Sequence, residues 1–356
     1  MDRYHLKGLD TYRGIAALIV LFCHIELFKD QFGYDNLLKH AFYKYTGGHT
    51  AVILFFVLSG FLITLLLLNG KNKFKKISLK NFYLRRIFRV WPLYYLIIIV
   101  SYLLIDYSPS SSTIVLCLTI FPNIAHALGA GWSISPQIWS IGVEEQFYIA
   151  WPFLVKNNNN MFKVSLFIFV FLTILPHGLL FTLNRIYPDP TLMTLINKIF
   201  FGTKFNCMAF GGFVAVIYNE KKSFINLLNR NIFISYSLTI LPFFLWLSGY
   251  HLNLFQDELY SVLFAISILI LTTNTKIINI DNPISKYFGK ISYGIYMYHW
   301  IILELLFRNK ILNIENNQIF NISIYSITIG LTLSISTFSY YFIEKPFLKI
   351  KEKYSR

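Results

Sequence analysis

Long apolar runs recur from one end of the chain to the other, each broken off by a polar segment rich in Asn, Lys, Gly or Pro. A helix needs about 20 predominantly apolar residues to cross a hydrocarbon core roughly 30 Å thick. Ten stretches meet or approach that length: 9–28, 51–69, 90–106, 138–155, 162–183, 199–217, 231–249, 258–273, 291–308 and 317–343. The pattern predicts an all-α integral membrane protein, a polytopic bundle of about ten transmembrane helices forming a single domain over residues 1–356. The apolar segment 112–122 is too short to cross and reads as an interfacial or re-entrant piece. No internal repeat is visible.

Charge placement gives the orientation. Lys71, Lys73, Lys75, Lys76, Lys80, Arg85, Arg86 and Arg89 crowd one connection, and Lys345, Lys349, Lys351, Lys353 and Arg356 crowd the tail. Basic residues gather on the connections that share a side with the N-terminus, so both termini are expected in the cytoplasm. Composition agrees: with 55% hydrophobic and 14% charged residues, a soluble domain is excluded. The formal net charge of +15 is accounted for by these inner connections, so nucleic acid is not expected as a partner. Cys23, Cys117 and Cys207 are scattered and odd in number, which gives neither a disulfide framework nor a metal-ligand spacing. Arg3 and Lys7 precede an apolar core as in a signal peptide, but no small-residue cleavage site follows Phe28. The first run is therefore read as a retained span.

Candidate chemistry begins in that span. Arg13 and His24 are eleven positions apart, which puts them within roughly 20° of one helix face and about 16 Å apart along the axis. Ionisable groups inside a span are costly and face a cavity or a partner, so both are functional candidates. From the topology, His24 lies about 22 Å into the core and Glu144 about 21 Å from the inner face. The two are thus expected at one level, with Arg13 lower down beside Arg85, Arg86 and Arg89. Guanidiniums near the cytoplasmic surface suit a phosphate-bearing donor. A deeper histidine with a carboxylate to hold its tautomer suits general-base work on a hydroxyl. An acyl coenzyme A would bridge the two levels. The arginine cluster reads equally as a positive-inside anchor, and buried charges on one face also suit a transporter of a polar or anionic solute with His24 and Glu144 relaying protons.

Six motifs then point to a family. LDTYRGIAALIVLFCH (9–24), FFVLSGFLI (55–63), FYLRRIFRVWPLYY (82–95), WSIGVEEQFYIAWP (139–152), GKISYGIYMYHW (289–300) and YFIEKP (341–346) occur in order. Together the chain resembles acyltransferase family three, bacterial inner-membrane enzymes that O-acylate surface and exported saccharides. The resemblance implies transfer of an acyl group, usually acetyl from acetyl-CoA, to a saccharide hydroxyl, free or lipid-linked, in the bacterial cytoplasmic membrane. By motif match, His24 is the catalytic histidine, with Arg13 its companion and Glu144 on the catalytic or acceptor side. Arg86 and Arg89 are implied on the CoA side, where Arg85 of the same basic cluster is counted with them. His299 matches the family's histidine of the ninth span, where it either lines the substrate passage or satisfies a buried hydrogen bond. Trp139 and Tyr148 are candidates to stack a sugar ring. No metal is expected. Many relatives carry a fused extracytoplasmic domain; here a short basic tail, 347–356, follows the last span, so any second transfer step is expected from a separate extracytoplasmic partner. Direct transfer and an acyl-enzyme intermediate both remain open.

Overall fold

The apolar runs become helices in the computed structural model, which describes residues 6–37, 47–105, 108–277, 279–309, 311, 314, 316–352 and 354. Arg3, Lys353 and Arg356, counted above among the basic groups, lie outside the described residues. In chain order the helices are α1 (Leu9–Gln31), α2 (Gly47–Phe74), α3 (Leu79–Leu104), α4 (Ser111–Leu118), α5 (Pro122–Ala127) and α6 (Ile138–Asn157). They continue with α7 (Met161–Ile186), α8 (Pro190–Thr203), α9 (Phe205–Glu220), α10 (Lys222–Asn229), α11 (Ile232–Leu247) and α12 (Gln256–Thr273). The last are α13 (Pro283–Arg308), α14 (Asn317–Ser339), a π-helical turn (Tyr340–Glu344) and α15 (Lys345–Glu352). There is no strand among the described residues.

Boundaries follow from side chains that compete for backbone N–H groups. Ser78, Asn160, Asp189 and Asn231 each accept from the first turn of the helix they precede, and Asn282 forms a reciprocal capping box with Ser285. Lys204 takes a left-handed conformation (φ 49°) and breaks the stretch expected at 199–217 into α8 and α9.

The centre of the bundle is α1, α2, α9 and α13, which hold about half of the fully buried side chains. Glycine lets these helices touch backbone to backbone. A Cβ at Gly60 of α2 would sit 1.9 Å from the Met208 carbonyl oxygen of α9, and one at Gly289 of α13 would sit 2.4 Å from the Asp10 carbonyl oxygen of α1. Small residues serve this purpose in membrane bundles because packing, rather than water, drives helix association. By contrast α7 and α14 expose Phe167, Ile174, Phe181, Ile322 and Phe338, apolar surface that suits a lipid environment.

Seven segments among the described residues are long and apolar enough to cross a membrane, and an eighth is reached if α10 and α11, bent by 94°, count as one span. Multiple apolar helices of this kind identify a membrane protein. All ten predicted stretches fall on helices, but α6 and α13 are too polar to qualify. Glu144, Glu145 and Gln146 lower α6; Lys290, Glu304 and a series of tyrosines lower α13. Those two helices carry much of the site described next.

The short segment 112–122 folds back as α4, a turn at Ile120 (φ 67°) and the start of α5. Asn123 of α5 and Gln146 of α6 donate to each other through their side-chain amides, at 3.1 and 2.7 Å. The chain between α5 and α6 is drawn into the bundle, where the Gln137 amide donates to the Met297 carbonyl of α13 (2.9 Å).

Candidate active site

Two groups of polar side chains face each other along the bundle axis. The first surrounds a cavity of about 110 Å³ between α1, α2, α3, α6 and α13, lined by Arg13, Ser59, Arg86, Arg89, Glu144, Tyr148, Tyr293 and Tyr296 among others. Glu144 is held from both sides: Ser59 donates to Oε1 (2.6 Å) and the Tyr148 hydroxyl donates to Oε2 (2.9 Å). Residues four apart on a helix share a face, so α6 presents Glu144 and Tyr148 to the cavity together. Arg86 lies 5.5 Å from the Tyr148 ring and 5.9 Å from the Phe82 ring. Its Nε is buried and has no hydrogen-bond partner among the described residues. Among the described residues Arg13 makes a long contact to Asp10, at 3.4 Å. Three guanidiniums and one carboxylate line the cavity, with the Asp10 carboxylate behind Arg13 and donor capacity left on Arg86. Such a set fits the phosphate groups of a donor.

The second group is a pair of histidines. His24 Nδ1 and His299 Nε2 are 2.7 Å apart, with rings parallel to within 2°. The other nitrogen of His299, Nδ1, is 3.0 Å from the Ile295 carbonyl oxygen. A carbonyl can only accept, so His299 Nδ1 carries the hydrogen, and in the neutral ring Nε2 is the acceptor. His24 must then donate from Nδ1, which leaves Nε2 of His24 as a bare lone pair. His299 is fully buried, whereas His24 is partly exposed. Trp300 sets an aromatic edge against His24, with ring centroids 4.9 Å apart.

The depth expectation needs correcting at Glu144. Helices α1 and α2 run antiparallel: Gly48 stands beside His24, and Ser59 shares the cavity with Arg13. Eleven residues separate the members on each helix, so the two layers are about 16 Å apart. Glu144 belongs to the Arg13 layer. The reason is the indrawn chain before α6: the helix starts near Met297, close to the histidine level, and Glu144 lies seven residues, or about 10 Å, further along. The group holding the His24 tautomer is therefore His299 rather than a carboxylate.

Other predicted residues separate in the same way. Arg85 turns from the cavity, its Nη1 donating to the Tyr354 carbonyl oxygen (2.9 Å). Trp139 is half-buried in aromatic packing with Phe56 and His126 and does not line the cavity. His299 makes no wall for a substrate, since both ring nitrogens are engaged. Glu145 turns to α3, where the Trp91 indole donates to its Oε2 (2.9 Å).

Several polar groups were missed. Tyr296 connects the layers: it lines the cavity, its hydroxyl is 2.8 Å from Ser140 Oγ, and its ring is 6.0 Å from that of His299. Glu26 and Lys29 of α1 form a fully buried ion pair (2.7 Å), with the Tyr325 hydroxyl also donating to Glu26 (2.7 Å). Their signal was two further charges beyond His24 on one apolar run. At the same end, His49 meets Asp257 at 2.8 Å and Lys204 pairs with the same carboxylate. Among the described residues no group of three or more His, Cys, Asp or Glu side chains is placed to hold a metal ion.

A family model described as Acyltransferase domain (Acyl_transf_3) matches residues 6–341, nearly the whole chain. The chain belongs to this acyltransferase family. Similar proteins agree with the assignment. A Staphylococcus aureus (strain COL) protein named "Putative O-acetyltransferase SACOL0978" is 26% identical over 97% of this chain and 58% of its own length. The "Peptidoglycan O-acetyltransferase OatA" of Listeria monocytogenes is 27% identical over 98% of this chain and 56% of its own. The chain thus spans a little over half the length of the curated relatives it matches. No solved structure matches it. Within this acyltransferase, the site lies on the motif-bearing segments of α1, α2, α3, α6 and α13.

Proposed function

We propose that this acyltransferase moves an acyl group, acetyl from acetyl-CoA, to a hydroxyl of a cell-surface or exported saccharide. It does so as one domain, residues 1–356, in the bacterial cytoplasmic membrane, with ten crossings and both termini inside. The observation that carries the reading is the fixed tautomer of His24. A relay from Ile295 through His299 leaves Nε2 unprotonated on a histidine that is only partly buried. The relatives named as O-acetyltransferases support the acetyl group and, in OatA, a saccharide polymer as acceptor.

The division of the site gives each residue a task. Arg13, Arg86 and Arg89 bind the donor's phosphates, and Arg86 Nε, buried without a partner, is the first to gain by it. Glu144, pinned by Ser59 and Tyr148, keeps the guanidiniums spread around the cavity. The roughly 16 Å between layers is spanned by the donor's pantetheine arm, which passes Tyr296. His24 Nε2 then takes the proton of the acceptor hydroxyl as its oxygen attacks the thioester carbonyl. The C–S bond breaks, and the imidazolium returns the proton to the departing thiolate, giving the ester and free thiol. His299 keeps His24 in the tautomer that can do this.

The test is ester-linked acetate released by mild base from surface saccharides of cells expressing wild type or His24→Ala at matched membrane levels. Acetate present with wild type and lost with the variant is the expected result. Equal release from both would strip His24 of its role.

A further inference from the structure

The unprotonated nitrogen of His24 lies beside a glycine of α2. Trp300 walls one side of the ring, and Gly48, in the first turn of α2, stands near Nε2. A Cβ built at Gly48 would lie 3.9 Å from His24 Nε2 and 3.6 Å from Cys23 Cβ. These are ordinary van der Waals separations, so packing does not exclude a side chain there. Gly60 on the same helix differs sharply, since a Cβ there would collide with a backbone oxygen at 1.9 Å. Gly48 also lies within the helix and has no positive φ that would require glycine. Glycine weakens a helix relative to alanine. Among the described residues, packing therefore leaves the missing side chain at Gly48 unexplained, and the position is half-open rather than sealed.

Its surroundings suit a polar, hydroxyl-bearing molecule. The next residue, His49, is exposed and hydrogen-bonded to Asp257, to which Lys204 is also paired. Those groups sit at the histidine end of the bundle, away from the guanidinium cavity.

We infer that Gly48 is a specificity-determining residue: the space left by its absent side chain receives the hydroxyl-bearing carbon of the saccharide acceptor as its oxygen meets His24 Nε2. The inference rests on the acyl-transfer reading above. Bond changes are those of the transfer itself: O–H to Nε2, a new oxygen–acyl bond, and a broken C–S bond with the proton passed to the thiolate. A methyl group at position 48 would compete with a carbon-bearing alcohol much more than with water, which needs contact through one atom only.

The experiment compares Gly48→Ala with wild type, His24→Ala and Gly70→Ala, the last being the same change on α2 where a Cβ meets nothing within 4 Å. Two quantities are read: ester acetate on surface saccharides of expressing cells, and thiol released from acetyl-CoA by the purified full chain without saccharide. For Gly48→Ala the ratio of ester to thiol release should fall about tenfold or more, with acetyl-CoA affinity kept and Gly70→Ala matching wild type. Undiminished ester with Gly48→Ala would overturn the slot, as would an equal loss of thiol release, which would mean a disturbed His24. If His24→Ala keeps its ester, or wild type forms none, the transfer reading itself falls and takes the slot with it. Ester lost with His24→Ala and retained with Gly48→Ala overturns the slot alone.

Discussion

The guanidinium cavity and the histidine pair are built on opposite principles. In the cavity lining three guanidiniums outnumber one carboxylate, and a buried donor on Arg86 has no partner among the described residues. At the histidine pair every ring nitrogen but one is committed among the described residues. An unsatisfied charged layer carries a standing cost that a ligand of opposite charge relieves, which favours binding. A satisfied relay with a single open lone pair costs little and favours proton transfer. On the function proposed above, binding and chemistry are separated along α1 by about 16 Å, and one helix, through Arg13 and His24, holds both in register.

The comparison breaks most visibly at His24. Replacing it with alanine should lower kcat by about 10²–10⁴-fold, the usual contribution of a general base, with acetyl-CoA affinity unchanged. Steady-state thiol release and donor binding by calorimetry together check this. A loss of donor affinity instead would mean the two layers are not separate.

Lys29 supplies the next contrast, because its charge on the same helix is wholly used in structure. It is fully buried against Glu26, which also accepts from Tyr325 and from the Leu37 amide (2.6 Å). Lys29→Met leaves a buried carboxylate without its cation and should cost about 3–5 kcal/mol of stability. Thermal unfolding in detergent should show it as a lowered midpoint, with per-molecule activity of the surviving protein kept.

The sequence carried the elements further than it carried their relations. Apolar runs located the long helical stretches because lipid demands continuous apolar length, but not the break at Lys204 that divides 199–217 between α8 and α9. Periodicity also placed Arg13 and His24 on one face. It could not give the axial offset between two helices, which is why Glu144 was expected beside His24: the indrawn chain before α6 shifts that helix by several residues. The partnership of His24 with His299 spans 275 residues and arises from the α1–α13 packing at Gly289. The outward turns of Arg85 and Glu145 depend on which neighbour packs behind them.

Within the cavity, Arg86→Ala should raise KM for acetyl-CoA about 10–100-fold while kcat changes little, the signature of lost charge-assisted hydrogen bonds made equally in ground and transition states. Arg86→Lys should recover only part, since an ammonium lacks the paired geometry of guanidinium. At the other layer, His299→Gln should lower kcat about tenfold, less than His24→Ala, because an amide oxygen can still accept from His24 Nδ1. His299→Leu, which cannot accept, should fall further. Equal kcat for the glutamine and leucine variants would remove the tautomer argument.

The smallest effect is expected at Arg85, and it is the sharpest test of how the cavity is drawn. Arg85 and Arg86 are adjacent, so 100° separates them around α3, and charge alone does not distinguish them. Geometry does: Arg86 lines the cavity, while Arg85 donates to the Tyr354 carbonyl oxygen beside the π-turn and α15. Arg85→Ala should leave KM for acetyl-CoA within about twofold of wild type, since Arg85 does not line the cavity and its Nη1 is already engaged. Its loss should show instead in the C-terminal segment, as faster proteolysis after α15. A KM rise matching that of Arg86→Ala would mean that donor binding responds to total positive charge at this end of the bundle, and the cavity would lose its claim to be the donor site.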